Sequence, residues 1–439
     1  MTVILLKVVI ALLSGLLGAG MLRTRVMQLP EGPFLRWALG LQLVPSLVLF
    51  LALYALGHQE PTSDVPSYYL PAARAALAGQ IPFRDFVSSY APLFPYVGAA
   101  LVAVWDSGKV FALFAIALNA VTLVMWHRSA SVCSEPRTLR TSTVLFASSG
   151  HVIVQGLLGT NQCWVAAAVA ASTLMITRER IAAAGFVQAA AACTTKLLAH
   201  LFWPVFWICT PRRSRWLAAA VIPTAAVYLL FIGIGAGPNL LHPLQFEATQ
   251  LSSGNLPYLL DLFLGNFTSE RLILDGLTAT ALAVALGWLY WQTRAVAAQD
   301  RPALLPAALL LVALTLMIFS KKSFTGYVMF VMYPLVLMLM SARPAGSKVA
   351  RVGFLLAFNV LLVAEPSLWF RLNGFNGGLR DWLDSGPGAV IAAFVGLDLV
   401  LVGCYVYLAW LSVRSLQATV DGATAERKAS QSATACSLV

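Results

Sequence analysis

The stretch SDVPSYYLPAARAALAGQIPFRDFVSSYAPLFPY, residues 63–96, is rich in aspartate, arginine and tyrosine, yet it lies between runs that are almost wholly apolar. Upstream, 3–22 and 34–57 are interrupted only by Lys7 and Arg36. Downstream, apolar runs occupy 110–127, 141–158, 163–177, 181–195, 197–210, 216–235, 272–291, 303–319, 324–341, 350–364 and 389–411. Many approach the roughly 20 residues that a helix needs to cross a bilayer. The chain is 59% hydrophobic and 11% charged, where a soluble domain carries about 25% charged residues. Its mean hydropathy is +0.79. The expected fold is therefore an all-α polytopic membrane bundle of about 11–13 transmembrane helices, with 63–96 inside a polar excursion between the second and third spans.

Charge sets the orientation. With 58–109 placed outside, 19 of the lysines and arginines fall in inner connections and 9 in outer ones, and Lys7 lies within the first run. Cytoplasmic loops collect Lys and Arg, and acidic residues contribute little to topology. Residues 58–109 are thus expected on the extracytoplasmic face, and the net charge of +11 needs no nucleic-acid partner. Residues 1–22 resemble a signal peptide in part, but the basic cluster that follows favours a retained helix. Six cysteines without a CxxC pair read as small apolar residues rather than as a disulfide framework or zinc site.

The expected organisation is one membrane domain, 1–414, with outer loops 58–109, 236–271 and 365–388. A polar tail, 415–439, is expected to be disordered and cytoplasmic. No phosphate-binding glycine loop, HExxH or GxSxG motif occurs, so soluble nucleotide chemistry has no support. In the first loop, VPSYYLPAARAALAG fits a short interfacial helix ended by Gly79. IPFRDF then reads as a turn, because Pro82 disfavours helical geometry at Ile81. YAPLFPYVGAALVAVW is too short to span comfortably and reads as a second interfacial helix.

At this point the residues carry a resemblance. Asp64, Tyr68-Tyr69, Ala72-Ala73, Gly79, Pro82, Arg84-Asp85-Phe86, Tyr90 and Pro92-Leu93-Phe94 form a pattern similar to the first outer loop of GT-C membrane glycosyltransferases. The nearest branch is the bacterial one that resembles glycosyltransferase family 87 and the mannosyltransferases. GTNQ (159–162), CTTKLLAHLFWP (193–204) and KKSFTGYVMFVMYP (321–334) follow in matching order. The first helix is an addition to that pattern, and no histidine adjoins KKSFTGY.

The resemblance implies an inverting transferase of the bacterial inner membrane. It would move a sugar, mannose-like hexose first, from a polyprenyl-phosphate donor to an extracytoplasmic glycolipid or glycan, with no cofactor or metal. Such chemistry needs a carboxylate to deprotonate the acceptor and cations to hold the leaving phosphate.

Asp64 takes the family's catalytic position, with helix capping as its structural alternative. Asp85 is the second candidate, although its neighbour Arg84 points to a turn-shaping salt bridge. Arg84, Lys196, Lys321 and Lys322 are the candidate phosphate-binding cations. Lys196 interrupts a long apolar run and is therefore expected to face a polar cavity, whereas Lys321 and Lys322 could simply reach the headgroups. Tyr68, Tyr69, Tyr90, Asn161, Gln162 and His242 are candidate sugar or acceptor contacts, Asn161 and Gln162 fitting a helix cap equally well. A lipid-sugar flippase or other transporter would line a midplane path with charge, and a non-catalytic envelope-assembly protein would leave Asp64 in bulk water.

Overall fold

The computed structural model describes residues 2–249, 251–264, 271–341, 346–372 and 388–437, and every regular element among them is a helix. All thirteen apolar runs are helical over most of their length. Eight helices are long and apolar enough to cross a membrane, and five shorter apolar helices accompany them. The protein is a polytopic helical bundle.

Amphipathicity sorts the helices by depth. The segment Arg301–Phe319 is 78% buried, whereas Arg213–Asn239 and Ile273–Thr293 are each only 11% buried. A helix that is apolar all round belongs either in a core or against lipid; the first is the centre of the bundle, and the other two form lipid-facing walls. Small residues allow the closest approaches. A Cβ on Gly185 would lie 2.6 Å from the Trp216 carbonyl oxygen, which seats Ile181–Thr194 directly on Arg213–Phe231. A Cβ on Gly150 would lie 2.1 Å from Ala11 Cα, so the first helix, Thr2–Met21, is packed into the bundle.

Three details differ from the sequence reading. The run 141–158 divides into Pro136–Ala147 and Gly150–Leu157 at Ser148–Ser149. Ser149 Oγ accepts from the Val152 amide at 3.3 Å and donates to Asn359 Oδ1 at 2.5 Å, a local competitor to continued helical bonding. The helix expected over 350–364 reaches Arg371 through Pro366, and the rest of the expected loop, 373–387, lies outside the described residues. Of the tail expected to be disordered, residues 415–437 are described as a continuation of the helix Gly388–Ser437. Its sequence is rich in alanine and free of proline, it extends an existing helix and so needs no new nucleus, and Leu416 and Val420 are buried one turn apart.

The connections gather at two ends. Ser63 reaches the Leu158 carbonyl, Asn239 reaches the Phe83 carbonyl, the Ser252 amide reaches the Lys321 carbonyl, and Ser253 bonds Glu365. Together with the Lys196–Asp64 ion pair and the Asn161 amide on Tyr69, these contacts join 58–109, 158–162, 196, 236–264, 320–323 and 365 into one cluster, which holds the connections that the charge count assigns to a single side. Arg140 to the Met27 carbonyl, Lys348 to Thr141 and Arg351 to the Leu339 and Met340 carbonyls tie together connections of the other set.

Candidate active site

The first loop is built as its sequence dictates. Val65–Tyr69 forms one wide helical turn that passes into Leu70–Leu77. Gly79 then adopts φ +84, the left-handed geometry that ends helices with little cost at glycine. The next helix is Phe94–Val104.

What places this loop is the break at Lys196. Helix Ile181–Thr194 ends at Thr195, Lys196 is extended, and a tight helical turn, Leu197–Phe202, resumes. Carbonyls left open at a helix end must find donors. Here the Leu93 amide donates to the Cys193 carbonyl at 2.8 Å and the Ala91 amide to the Thr195 carbonyl at 2.9 Å. Segment 90–93 is thereby stitched to the end of a distant helix, and Tyr90 is carried to Lys196.

Asp64 sits at the start of the Val65–Tyr69 turn, but its side chain makes no capping bond. Tyr90 Oη donates to Asp64 Oδ2 at 2.6 Å, and Lys196 Nζ lies 3.6 Å from the same oxygen. No hydrogen bond to Oδ1 is found among the described residues, and the Asp64 side chain is 39% exposed. Lys196 is nearly buried, with its ammonium 5.3 Å from the Tyr90 ring centre and 5.9 Å from that of Tyr327. Aromatic faces and a carboxylate together offset the cost of burying that charge. Tyr69 is fully buried, packs edge-on against Tyr90 and Phe94, and accepts from the Asn161 amide at 3.0 Å. Burial first, and then the Asp64 charge, pushes the Tyr69 phenol well above its ordinary range. For Tyr90 the causes are burial, then Tyr69, then Asp64. Both hydroxyls therefore stay protonated at neutral pH, and Tyr90 is a permanent donor to Asp64.

Tyr90 also forms the wall of a cleft of about 460 Å³ between helix Leu70–Leu77, segment 86–90 and helix His242–Thr249. Tyr68 packs edge-on against Phe246, His242 tilts against the same ring, and Ser88 and Ser89 add hydroxyls. Lys322 Nζ lies 5.2 Å above the Phe246 ring centre. A second cavity of about 480 Å³, lined by Leu197, His200, Trp203 and Tyr228 among others, has apolar walls and no carboxylate. The polar chemistry lies in the first.

The sequence candidates divide accordingly. Asp64, Tyr68, Tyr69, Tyr90, Lys196 and His242 come together, with Lys322 at the edge. Asp85 and Arg84 do not join them. Arg84 donates to both Asp85 oxygens at 2.8 and 3.0 Å, and Asp85 also accepts from the Ile81 amide at 2.7 Å. That clasp closes the IPFRDF turn; the Arg84 bond first, and the Ile81 amide second, hold the Asp85 carboxyl below the usual carboxylate range. Lys321 is buried and its ammonium lies 2.7 Å from Asp275, so its charge is already matched. Asn161 and Gln162 are buried beside Tyr69. The side-chain amide atoms of Asn161 and the Gln162 Oε1 have no partner among the described residues, which is uncommon for buried polar groups.

Tyr327, Phe246, Ser88 and Ser89 are site residues that sequence reasoning missed. Tyr327 lies within the quoted KKSFTGY motif and Ser88 and Ser89 within the polar stretch 63–96, but nothing local marks Phe246. No protein-family model matches this chain, and no curated protein matches it either.

Proposed function

We propose that this protein is an integral-membrane inverting glycosyltransferase of the GT-C type. It would transfer a sugar, a mannose-like hexose first, from a polyprenyl-phosphate donor to a glycolipid or glycan on the extracytoplasmic face of a bacterial inner membrane. The observation that carries this reading is the clasp on Asp64: one carboxylate oxygen is held by Tyr90 and Lys196, the other is unengaged among the described residues, and Tyr90 also walls a cleft of sugar size.

The roles follow from that geometry. Asp64 Oδ1 takes the proton of the acceptor hydroxyl as its oxygen forms the new bond to the anomeric carbon. The bond from that carbon to the phosphate oxygen breaks, and the phosphate leaves with the electron pair. Lys196 and Lys322 then stabilise the charge on the leaving group by charge-assisted hydrogen bonds. Tyr68 and Phe246 offer faces for a sugar ring in the cleft; Asn161 and Gln162 are buried outside its lining and take no direct role.

The test is to incubate the purified full chain with a panel of radiolabelled polyprenyl-phosphate sugars and membrane lipids. Transfer from at least one donor, lowered at least about a hundredfold by Asp64→Asn, is the expected result; no transfer from any donor, or a fully active Asp64→Asn, would refute the assignment. Orientation is tested by impermeant labelling of single cysteines. Labelling from outside at position 80 and none at position 425 is expected, and the reverse pattern would overturn it.

A further inference from the structure

Away from the cleft, two carboxyls meet inside the bundle. Glu365, on helix Lys348–Arg371, is 1% exposed, and Asp398, on helix Gly388–Ser437, is 0% exposed. Their side chains are neighbours, and neither Asp398 oxygen has a hydrogen-bond donor among the described residues. Segment 251–255 crosses above them. Ser253 Oγ donates to Glu365 Oε1, and Gly254 lies against Glu365 and Leu401. Gly254 has φ +75, a conformation that favours glycine, and its Cα side lies close to Leu401 and Glu365, where a Cβ would be 2.9 Å from Leu401 Cδ2 and 3.6 Å from Glu365 Oε2.

Among the described residues, no positive charge pairs with these carboxyls; Lys7, on helix Thr2–Met21 packed against the helix of Glu365, forms no ion pair with either. Tyr258 faces the pair from helix Leu256–Leu264, with Asp261 beside it, and Tyr405 faces it from the helix of Asp398 itself, with Cys404 beside it. Helix Leu305–Phe319, packed against that helix, carries no ionisable residue, and Tyr333 of Met332–Ser341 is bonded to Thr143 instead. Among the described residues, no lysine or arginine forms an ion pair with either carboxyl. Two buried carboxylates in contact cannot both be ionised without a compensating charge.

We propose that Glu365 and Asp398 share one proton, and that this protonated pair is a latch holding segment 251–255 down and letting it go when the proton is lost. A proton kept by the closed latch and released on opening makes closure tighter as pH falls and looser as pH rises. The latch bears on the lysine turn: the Ser252 amide donates to the Lys321 carbonyl at 3.0 Å, and the Ser323 amide donates to Ser252 Oγ at 2.8 Å. Opening would therefore free the turn that carries Lys322 over Phe246. The inference does not depend on the transfer reaction, because protons and backbone amides report it directly.

The experiment uses the full chain in lipid nanodiscs, with no substrate. Infrared spectroscopy at neutral pH should show a protonated-carboxyl C=O band, diminished in Asp398→Asn and in Glu365→Gln. Hydrogen exchange of 251–255, corrected for the intrinsic rate, should accelerate at least tenfold across a mildly acidic to mildly alkaline series in the wild type. It should stay flat in either amide variant, since each mimics the protonated partner. A wild-type spectrum without the band, or exchange equally flat in wild type and variants, overturns the proposal. Protection restored at alkaline pH by sodium or calcium would overturn it too, because the occupant would then be a metal cation. The wild-type spectrum decides should either variant fail to fold.

Discussion

Replacing Asp64 with asparagine should separate two roles that a simple loss of activity would confound. Lys196 Nζ lies 3.6 Å from Asp64 Oδ2, where a unit-charge pair is worth about 1 kcal/mol in water and roughly 5 kcal/mol at an effective dielectric of about 20. The Asp64 side chain is 39% exposed and that of Lys196 10%, so solvent screening keeps the interaction near the lower figure. An arriving lipid phosphate must compete with Asp64 for that ammonium. Asp64→Asn removes the competitor and keeps the shape, so a polyprenyl monophosphate should bind about fivefold tighter, the equivalent of about 1 kcal/mol. Lys196→Met should bind it more weakly than the wild type. Equilibrium binding of the radiolabelled lipid phosphate to each protein in nanodiscs measures this, with a thermal melt to establish folding. The effect should shrink at high salt. Unchanged or weaker binding by Asp64→Asn, together with wild-type binding by Lys196→Met, would refute the idea that Lys196 is a phosphate cation restrained by Asp64.

Three further outcomes are expected. Asp85→Asn should leave transfer within about threefold of wild type, because its carboxyl closes a turn; the stabilisation it gives that turn is present above about pH 4 and is lost as pH falls through its lowered value, which a variant-to-wild-type comparison of melts over an acid series would detect. Gly150→Leu should lower the melting temperature markedly or block folding, since even a Cβ would lie 2.1 Å from Ala11 Cα and overpacking costs about 1–3 kcal/mol or more; a wild-type melt would show that the first helix is not seated there. Excess chelator should leave the transfer rate unchanged, given that lysines supply the positive charge for the leaving group, and activity lost in chelator and restored by magnesium or manganese would sink that mechanism.

The sequence by itself determined the helices and their sidedness relative to one another. Apolar runs near the spanning length and the alternation of basic and polar connections are local properties, readable without knowing which helix touches which. It also determined the turn at Pro82 and the helix end at Gly79, because φ preferences are set by single residues. In the tail, a polar composition accompanies helix over 415–437, which costs little to extend once the preceding span has formed. The tertiary structure alone decided which charges meet. Lys321 and Lys322 are neighbours in sequence, but one ammonium faces Asp275 and the other the Phe246 ring. Lys196 reaches Asp64 only because the amides of Ala91 and Leu93 bond carbonyls about a hundred residues away. Glu365 and Asp398 read as an outer-loop acid and an isolated acid within the last span until helix packing brings them into contact. Pairings of this kind are set by the open hydrogen-bonding groups at helix breaks and by side-chain packing between distant segments, neither of which leaves a periodic trace in the chain.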